Sequence, residues 1–119
     1  MNAREKGLAR VREVRKIIEG LGHRVEGPGY SIAFFNGRMN PIHKDYFGVA
    51  DLISYHENQF ILHQVTDLTN KAKHTRLIQE ACLPVWIWCR ANDGGKVFYR
   101  VFFVAQDGQI TEGSVQWRV

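Results

Sequence analysis

Val49-Ala50-Asp51-Leu52-Ile53-Ser54-Tyr55-His56 and Phe60-Ile61-Leu62-His63-Gln64-Val65-Thr66 are two runs rich in β-branched and aromatic residues, separated by the polar triplet Glu57-Asn58-Gln59. Such a pattern predicts two adjacent strands of one hairpin. Side chains alternate along a strand, so Val49, Asp51, Ile53 and Tyr55 share one face, and Phe60, Leu62, Gln64 and Thr66 share one face of the neighbour. An acid thus begins one strand and two polar residues, at i and i+2, end the other. Burying such groups unpaired costs roughly 1–3 kcal/mol each, so they require partners. Two readings follow from the residues alone. Either Asp51 caps a turn while Gln64 and Thr66 hydrogen-bond across the sheet, or the three belong to a metal-dependent site.

Towards the N-terminus, Leu8, Val11, Val14, Ile18 and Leu21 recur at three- and four-residue steps, which predicts an amphipathic helix from Ala3 to Leu21. Gly20 and Gly22 supply its stop. Its basic side, Arg10, Arg12, Arg15 and Lys16, is either a solvated face or a phosphate contact. Gly27-Pro28-Gly29 reads as a turn, Tyr30–Phe35 as a strand, and Asn36-Gly37 as a further turn. Arg38 to Asp45 is polar and basic and reads as a loop that delivers Arg38, His43 and Lys44 towards Asp51. Gly48 is expected to permit close backbone approach at that strand.

After Thr66, Asp67-Leu68-Thr69-Asn70 is a helix-start signature. A helix is expected over Lys71 to Cys82, burying Ala72, Leu77, Ile78, Ala81 and Cys82. Lys71, Lys73, His74 and Arg76 in its first turns oppose the helix dipole, which suits a docked phosphate. Pro84 ends the helix, and Val85-Trp86-Ile87-Trp88-Cys89 is a continuous apolar run of the kind a strand covered on both faces carries. Trp86 and Trp88 read as core residues, with base stacking as the alternative. Val97–Val104 is a further strand, and Ser114–Val119 a short last segment.

This order describes an α/β fold, a mixed central β-sheet flanked by helices, with a β–α–β crossover from the Thr66 strand to the Val85 strand. At 119 residues the chain suits one domain, 1–119. No apolar run approaches the roughly 20 residues that span a bilayer, and Met1-Asn-Ala-Arg-Glu-Lys6 lacks the apolar core of a signal peptide. No membrane partner and a cytoplasmic location are therefore expected. Cys82 and Cys89 have no zinc or redox spacing and are expected to be free thiols, packed as small apolar residues. A net charge of +4 and a pI near 9.3 permit an anionic partner such as nucleic acid.

The chain resembles the PD-(D/E)xK nuclease superfamily, and within it the archaeal-type Holliday junction resolvases. The likeness runs through an N-terminal helix, a glycine-rich turn, the hairpin with Ala50-Asp51-Leu52-Ile53, and the helix and strand that follow. It implies a restriction-endonuclease-like order, α-β-β-β-α-β-β. It also implies metal-dependent cleavage of DNA, with branched DNA as the substrate a resolvase takes, Mg²⁺ or Mn²⁺ as cofactor and a homodimeric assembly. Asp51, Gln64 and the Val65 carbonyl take the metal-ligand places, and Thr66 stands where the family has its lysine. The family's first-helix glutamate has Glu13 as its nearest counterpart. Lys44 and Lys71 are candidate substitutes for the missing cation, and Asp45 for the missing carboxylate. Arg38, His43, Lys44, Lys71 and Lys73 are the expected phosphate contacts. Because Gln64 and Thr66 depart from the motif, a nuclease fold that binds nucleic acid without cutting it is the alternative. A protein–protein module sharing the sheet is a third reading.

Overall fold

The computed structural model describes residues 2–35 and 37–119, with side chains at all of these except 30–35, 40–43, 114 and 115. In chain order the elements are α1 (Ala3–Gly20), β1 (Arg24–Glu26), β2 (Tyr30–Phe35), β3 (Arg38–His43), β4 (Leu52–His56), β5 (Gln59–Asp67), α2 (Lys71–Ala81), β6 (Val85–Asp93), β7 (Lys96–Val104) and β8 (Ile110–Arg118). The expected hairpin is formed by β4 and β5, Leu52 opposite His63 and His56 opposite Gln59. Glu57 and Asn58 turn it with φ of 49° and 65°, the left-handed pair that a tight hairpin requires.

Six strands make one sheet in the order β1-β4-β5-β6-β7-β8, and β2 with β3 makes a separate two-stranded ribbon. Within the larger sheet only β5 and β6 run parallel, so the sheet is mixed and α2 is the crossover between them. The class is α/β, as read from the sequence, but five strands precede α2 where three were expected. One of the added strands is β3. The polar stretch read as a loop pairs with β2 from Phe35–Arg38 to Tyr30–His43, because ladder bonds come from the backbone and tolerate polar side chains. Asn36, in the expected turn, lies outside the described residues. The last segment is also longer than expected, since β8 begins at Ile110 and follows β7 through a register shift between Arg100 and Phe102.

Each face of the six-stranded sheet buries its own core. On one, Val11, Val14 and Ile18 of α1 meet Val25, Leu52, Val65, Trp88, Tyr99 and Val101. On the other, Ile78 of α2 meets Leu62, Val85, Ile87, Cys89, Phe102 and Val104, with Val49 and Ala50 from the approach to β4. β6 is buried on both faces, which accounts for its unbroken apolar run. α1 starts with a capping box, Asn2 accepting from the Glu5 N–H and Glu5 accepting from the Asn2 N–H.

Five expected core positions are corrected. Leu21 is the C-cap of α1, past its last turn, and is exposed. In α2 the buried residues are Thr75 and Ile78, whereas Ala72, Leu77, Ala81 and Cys82 are exposed. Thr75 tolerates burial because its hydroxyl donates to the Lys71 carbonyl at 2.8 Å, so the helix rests on a polar β-branched residue that apolar counting passes over. Cys82 therefore sits at the αL C-cap rather than in a core, while Cys89 is buried as expected. The close approach assigned to Gly48 occurs instead at Gly27. A Cβ there (φ 111°) would lie 2.7 Å from the Asp51 carbonyl, while nothing lies within 4 Å of one at Gly48.

Ile18 is fully enclosed between α1 and the sheet. Ile18→Ala is expected to lower unfolding stability by about 2–5 kcal/mol, read as a shift of the urea midpoint with little change in slope.

Candidate functional site

β5 outruns β4. Its pairing with β4 stops at Leu52–His63, while Gln64 to Asp67 continue along β6. The side of β5 that faces β4 would then leave the Val65 N–H without a ladder partner, and the Asp51 carboxylate fills that place. Val65 N–H donates to Asp51 Oδ2 at 2.9 Å, and the Asp51 N–H donates to the His63 carbonyl at 2.8 Å. Asp51 and Gln64 are both buried. Gln64 Nε2 donates to the Val65 carbonyl at 3.2 Å. With no cation between them, two facing oxygens would repel, so the amide turns its nitrogen to that carbonyl.

Of the expected site residues, Asp51, Gln64 and Val65 are brought together. They line one cavity of about 220 Å³ with Arg4, Gly7 and Leu8 of α1. Thr66, also buried, lies in register with Cys89, which pairs with Arg100. Lys71 is placed on that side of the sheet, its ammonium 3.9 Å from the Phe102 ring centroid and the Arg100 guanidinium 5.2 Å from it. Burial pushes the neighbouring Cys89 thiol up to about 11, against the pull of these two cations.

Glu13 is engaged elsewhere. Its carboxylate accepts from the Tyr99 hydroxyl at 2.6 Å and lies 3.5 Å from Arg90 Nε, tying α1 to β6 and β7. Burial, then the bond to Glu13, push the Tyr99 hydroxyl above its usual range. Arg38 is exposed on the β2–β3 ribbon, and the His43 side chain lies outside those described. Lys44 and Lys73 are exposed, and the Lys44 N–H donates to the Gly29 carbonyl. Asp45 lies near His74, which burial and Lys73 hold below its usual pKa against the opposite effect of Asp45 and Asp67.

Two features were not singled out from sequence. The first is a groove of about 310 Å³ between the first turns of α1 and the start of α2, lined by Lys6, Gly7, Arg10, Thr66, Asp67 and Asn70. Gly7 and Val65 belong to both this groove and the Asp51 cavity. Arg10 Nη1 is 3.6 Å from Asp67 Oδ2, and Asp67 Oδ1 accepts from Asn70. The Asn70 side chain makes no capping bond to α2, whose first turn has no acid. One signal was available: Gly7 sits inside a helix pattern, where glycine costs about 1 kcal/mol relative to alanine and calls for a packing or functional reason.

The second is a buried chain, His23–Ser54–His63–Trp88. Trp88 Nε1–H, which can only donate, points to His63 Nδ1 at 3.0 Å. His63 therefore carries its proton on Nε2 and donates to Ser54 Oγ at 2.8 Å. The Ser54 hydroxyl also shares a hydrogen bond with His23 Nδ1 at 3.0 Å. Burial, and then the nearby His23, push the His63 pKa down to about 3. His23 stacks on His56 with centroids 4.4 Å apart. Its pKa is lowered by burial and by His56, against a smaller opposite effect of Glu57. Ser54 is 1% exposed, so this serine–histidine pair holds the sheet together and is closed to a substrate.

Among the described residues, no group of three or more His, Cys, Asp or Glu is placed to hold a metal ion, and no helix is long and apolar enough to cross a membrane. Comparison with family models, curated proteins and solved structures finds no significant match to this chain.

Asp51→Ala is expected to cost about 1–3 kcal/mol, because the Val65 N–H is left buried and unpaired. Asp51→Asn keeps an acceptor oxygen and should retain most of that stability; urea unfolding of both variants tests this. His63 predicts an acid weakness. Between its unfolded value of 6.5 and its folded value of about 3, the unfolded chain holds the extra proton. Its contribution to stability is therefore complete above pH 6.5 and declines as pH falls towards 3. Unfolding midpoints measured from pH 7 to pH 4 should drop more steeply for the wild type than for His63→Gln, which does not titrate.

Proposed function

We propose that this domain binds nucleic acid through its phosphate backbone, in the groove where the first turns of α1 and α2 meet. The observation that carries this reading is that groove, where Lys6 and Arg10 of α1 face the start of α2, with Arg4 in the adjoining cavity and the exposed Lys73 in the first turn of α2. Helix N-termini and lysine or arginine side chains both favour phosphate. The excess of basic residues in the whole chain agrees with it.

The resemblance to PD-(D/E)xK nucleases adds a divalent metal, and the residues present do not fit one well. Magnesium requires several hard oxygens at near-octahedral angles. Among the described residues, Asp51 is the one carboxylate lining the cavity it shares with Gln64 and already accepts the Val65 amide, and Gln64 is a neutral residue in the place of a second carboxylate. This supports a fold of nuclease type that binds without cutting, with Asp51 and Gln64 holding β5 beside β4. Metal-dependent cleavage is the second reading. It is favoured by one observation, the shared cavity of Asp51, Gln64 and Arg4 next to the basic groove.

Labelled four-way junction, duplex and single-stranded DNA, titrated in Mg²⁺, Mn²⁺ and EDTA, separate the readings. Binding should survive EDTA and weaken with salt. Lys6→Ala combined with Lys73→Ala should lower the salt slope by about one to two, at roughly 0.9 for each duplex phosphate that is no longer neutralised. Asp51→Asn should leave binding unchanged. Metal-dependent cutting that disappears in Asp51→Asn would establish cleavage instead, and absence of salt-dependent binding to any of these DNAs would overturn both readings.

A further inference from the structure

α1 crosses β1, β4 and β5 and leaves part of its own face of the sheet open beyond Leu21. There a cavity of about 230 Å³ is lined by Leu21, Trp86, Trp88, Phe103, Gly113 and Trp117. Its walls are aromatic. Trp86 meets Phe103 edge-on with centroids 4.9 Å apart, and Trp117 lies 6.4 Å from Trp88. Gly113 keeps the space open, since a Cβ there would come within 3.1 Å of the Phe103 ring. The Trp88 N–H is engaged by His63, and no lining side chain is charged, so the cavity offers mainly ring surface. Trp86, Phe103 and Trp117 remain partly exposed at its mouth.

We infer that this cavity seats an unpaired base of a single strand whose backbone runs from the α1–α2 groove along α1. The inference rests on the proposed phosphate contact and names its substrate class. One ridge of α1 joins the two places: Lys6 and Arg10 line the groove, Glu13 and Ile17 follow, and Leu21 lines the aromatic cavity. Glu13, the acid on that ridge, is held by Tyr99 and Arg90. Lys16 is exposed beside it. Charge complementarity therefore favours a polyanion with flat apolar groups over a neutral apolar peptide. Stacking on aromatic side chains needs no particular base, and modules of this kind cover about 4–16 nucleotides. The ridge from Lys6 to Leu21 spans about 22 Å, within the reach of a strand of that length.

The test uses oligo(dT) of increasing length against a blunt hairpin duplex, with wild type, Trp117→Ala, Trp117→Phe and Lys6→Ala. Affinity for oligo(dT) should rise with length and level within about 4–16 nucleotides. Trp117→Ala should weaken single-strand binding by about 5- to 100-fold, leave duplex binding unchanged, and be rescued by Trp117→Phe. In the wild-type protein, 5-iodouridine in the strand should cross-link to Trp117, Trp86 or Phe103. Unchanged single-strand affinity in a folded Trp117→Ala protein, with Lys6→Ala still weakening both DNAs, would overturn this inference and leave the phosphate groove standing. Failure of the wild type to bind either DNA would remove the groove as well. A wild-type dimer made monomeric by Trp117→Ala, with DNA affinity unchanged, would assign the cavity to a second copy of the chain and also overturn it.

Discussion

β5 and β6 lie side by side and run in the same direction, and no hairpin can close a parallel pair. The chain has to leave the end of β5, cross a face of the sheet and return at the start of β6. α2 makes that crossing, and its first turn is thereby fixed at the C-terminal end of β5, next to Thr66 and Asp67. α1, on the opposite face, brings its own first turns to the same end. The starts of both helices thus border one groove at this end of the sheet, with Lys6 and Arg10 lining it.

The same parallel pairing leaves β5 longer than β4 can cover, and buried polar groups complete the ladder. Asp51 supplies the acceptor that β4 lacks, and Gln64 closes on the next carbonyl. Deeper in the sheet, His63 links Trp88 to Ser54 and, through Ser54, to His23 by hydrogen bonds. A buried network of this kind rigidifies a sheet only when its members are satisfied. Chemically suggestive residue types, an acid, a serine and two histidines, are in this chain used to hold strands in register.

Much of the architecture was legible in local pattern. The β4–β5 hairpin follows from period-two alternation around Glu57-Asn58, α1 from its spaced valines and Ile18, and the buried position of β6 from an unbroken apolar run. β3 was not legible, because backbone pairing does not require apolar side chains. The buried side of α2 was missed because it is set by Thr75, a residue that apolar counting does not register. The candidate site was legible in part: the meeting of Asp51, Gln64 and Val65 follows from hairpin register. Which atoms they turn towards each other, and that Glu13 belongs to Tyr99 and Arg90, depends on elements far apart in sequence.

The sequence by itself determined the α/β class, the hairpin, the parallel crossover and a basic excess, because each is written in composition or in short-range periodicity. Only the tertiary structure decided where the cations gather, which face each helix buries, and how the polar residues of β4 and β5 are satisfied. The reason is geometric. Periodicity tells a residue which side of its own element it occupies, whereas its partners are set by the register and crossing of elements that periodicity does not relate.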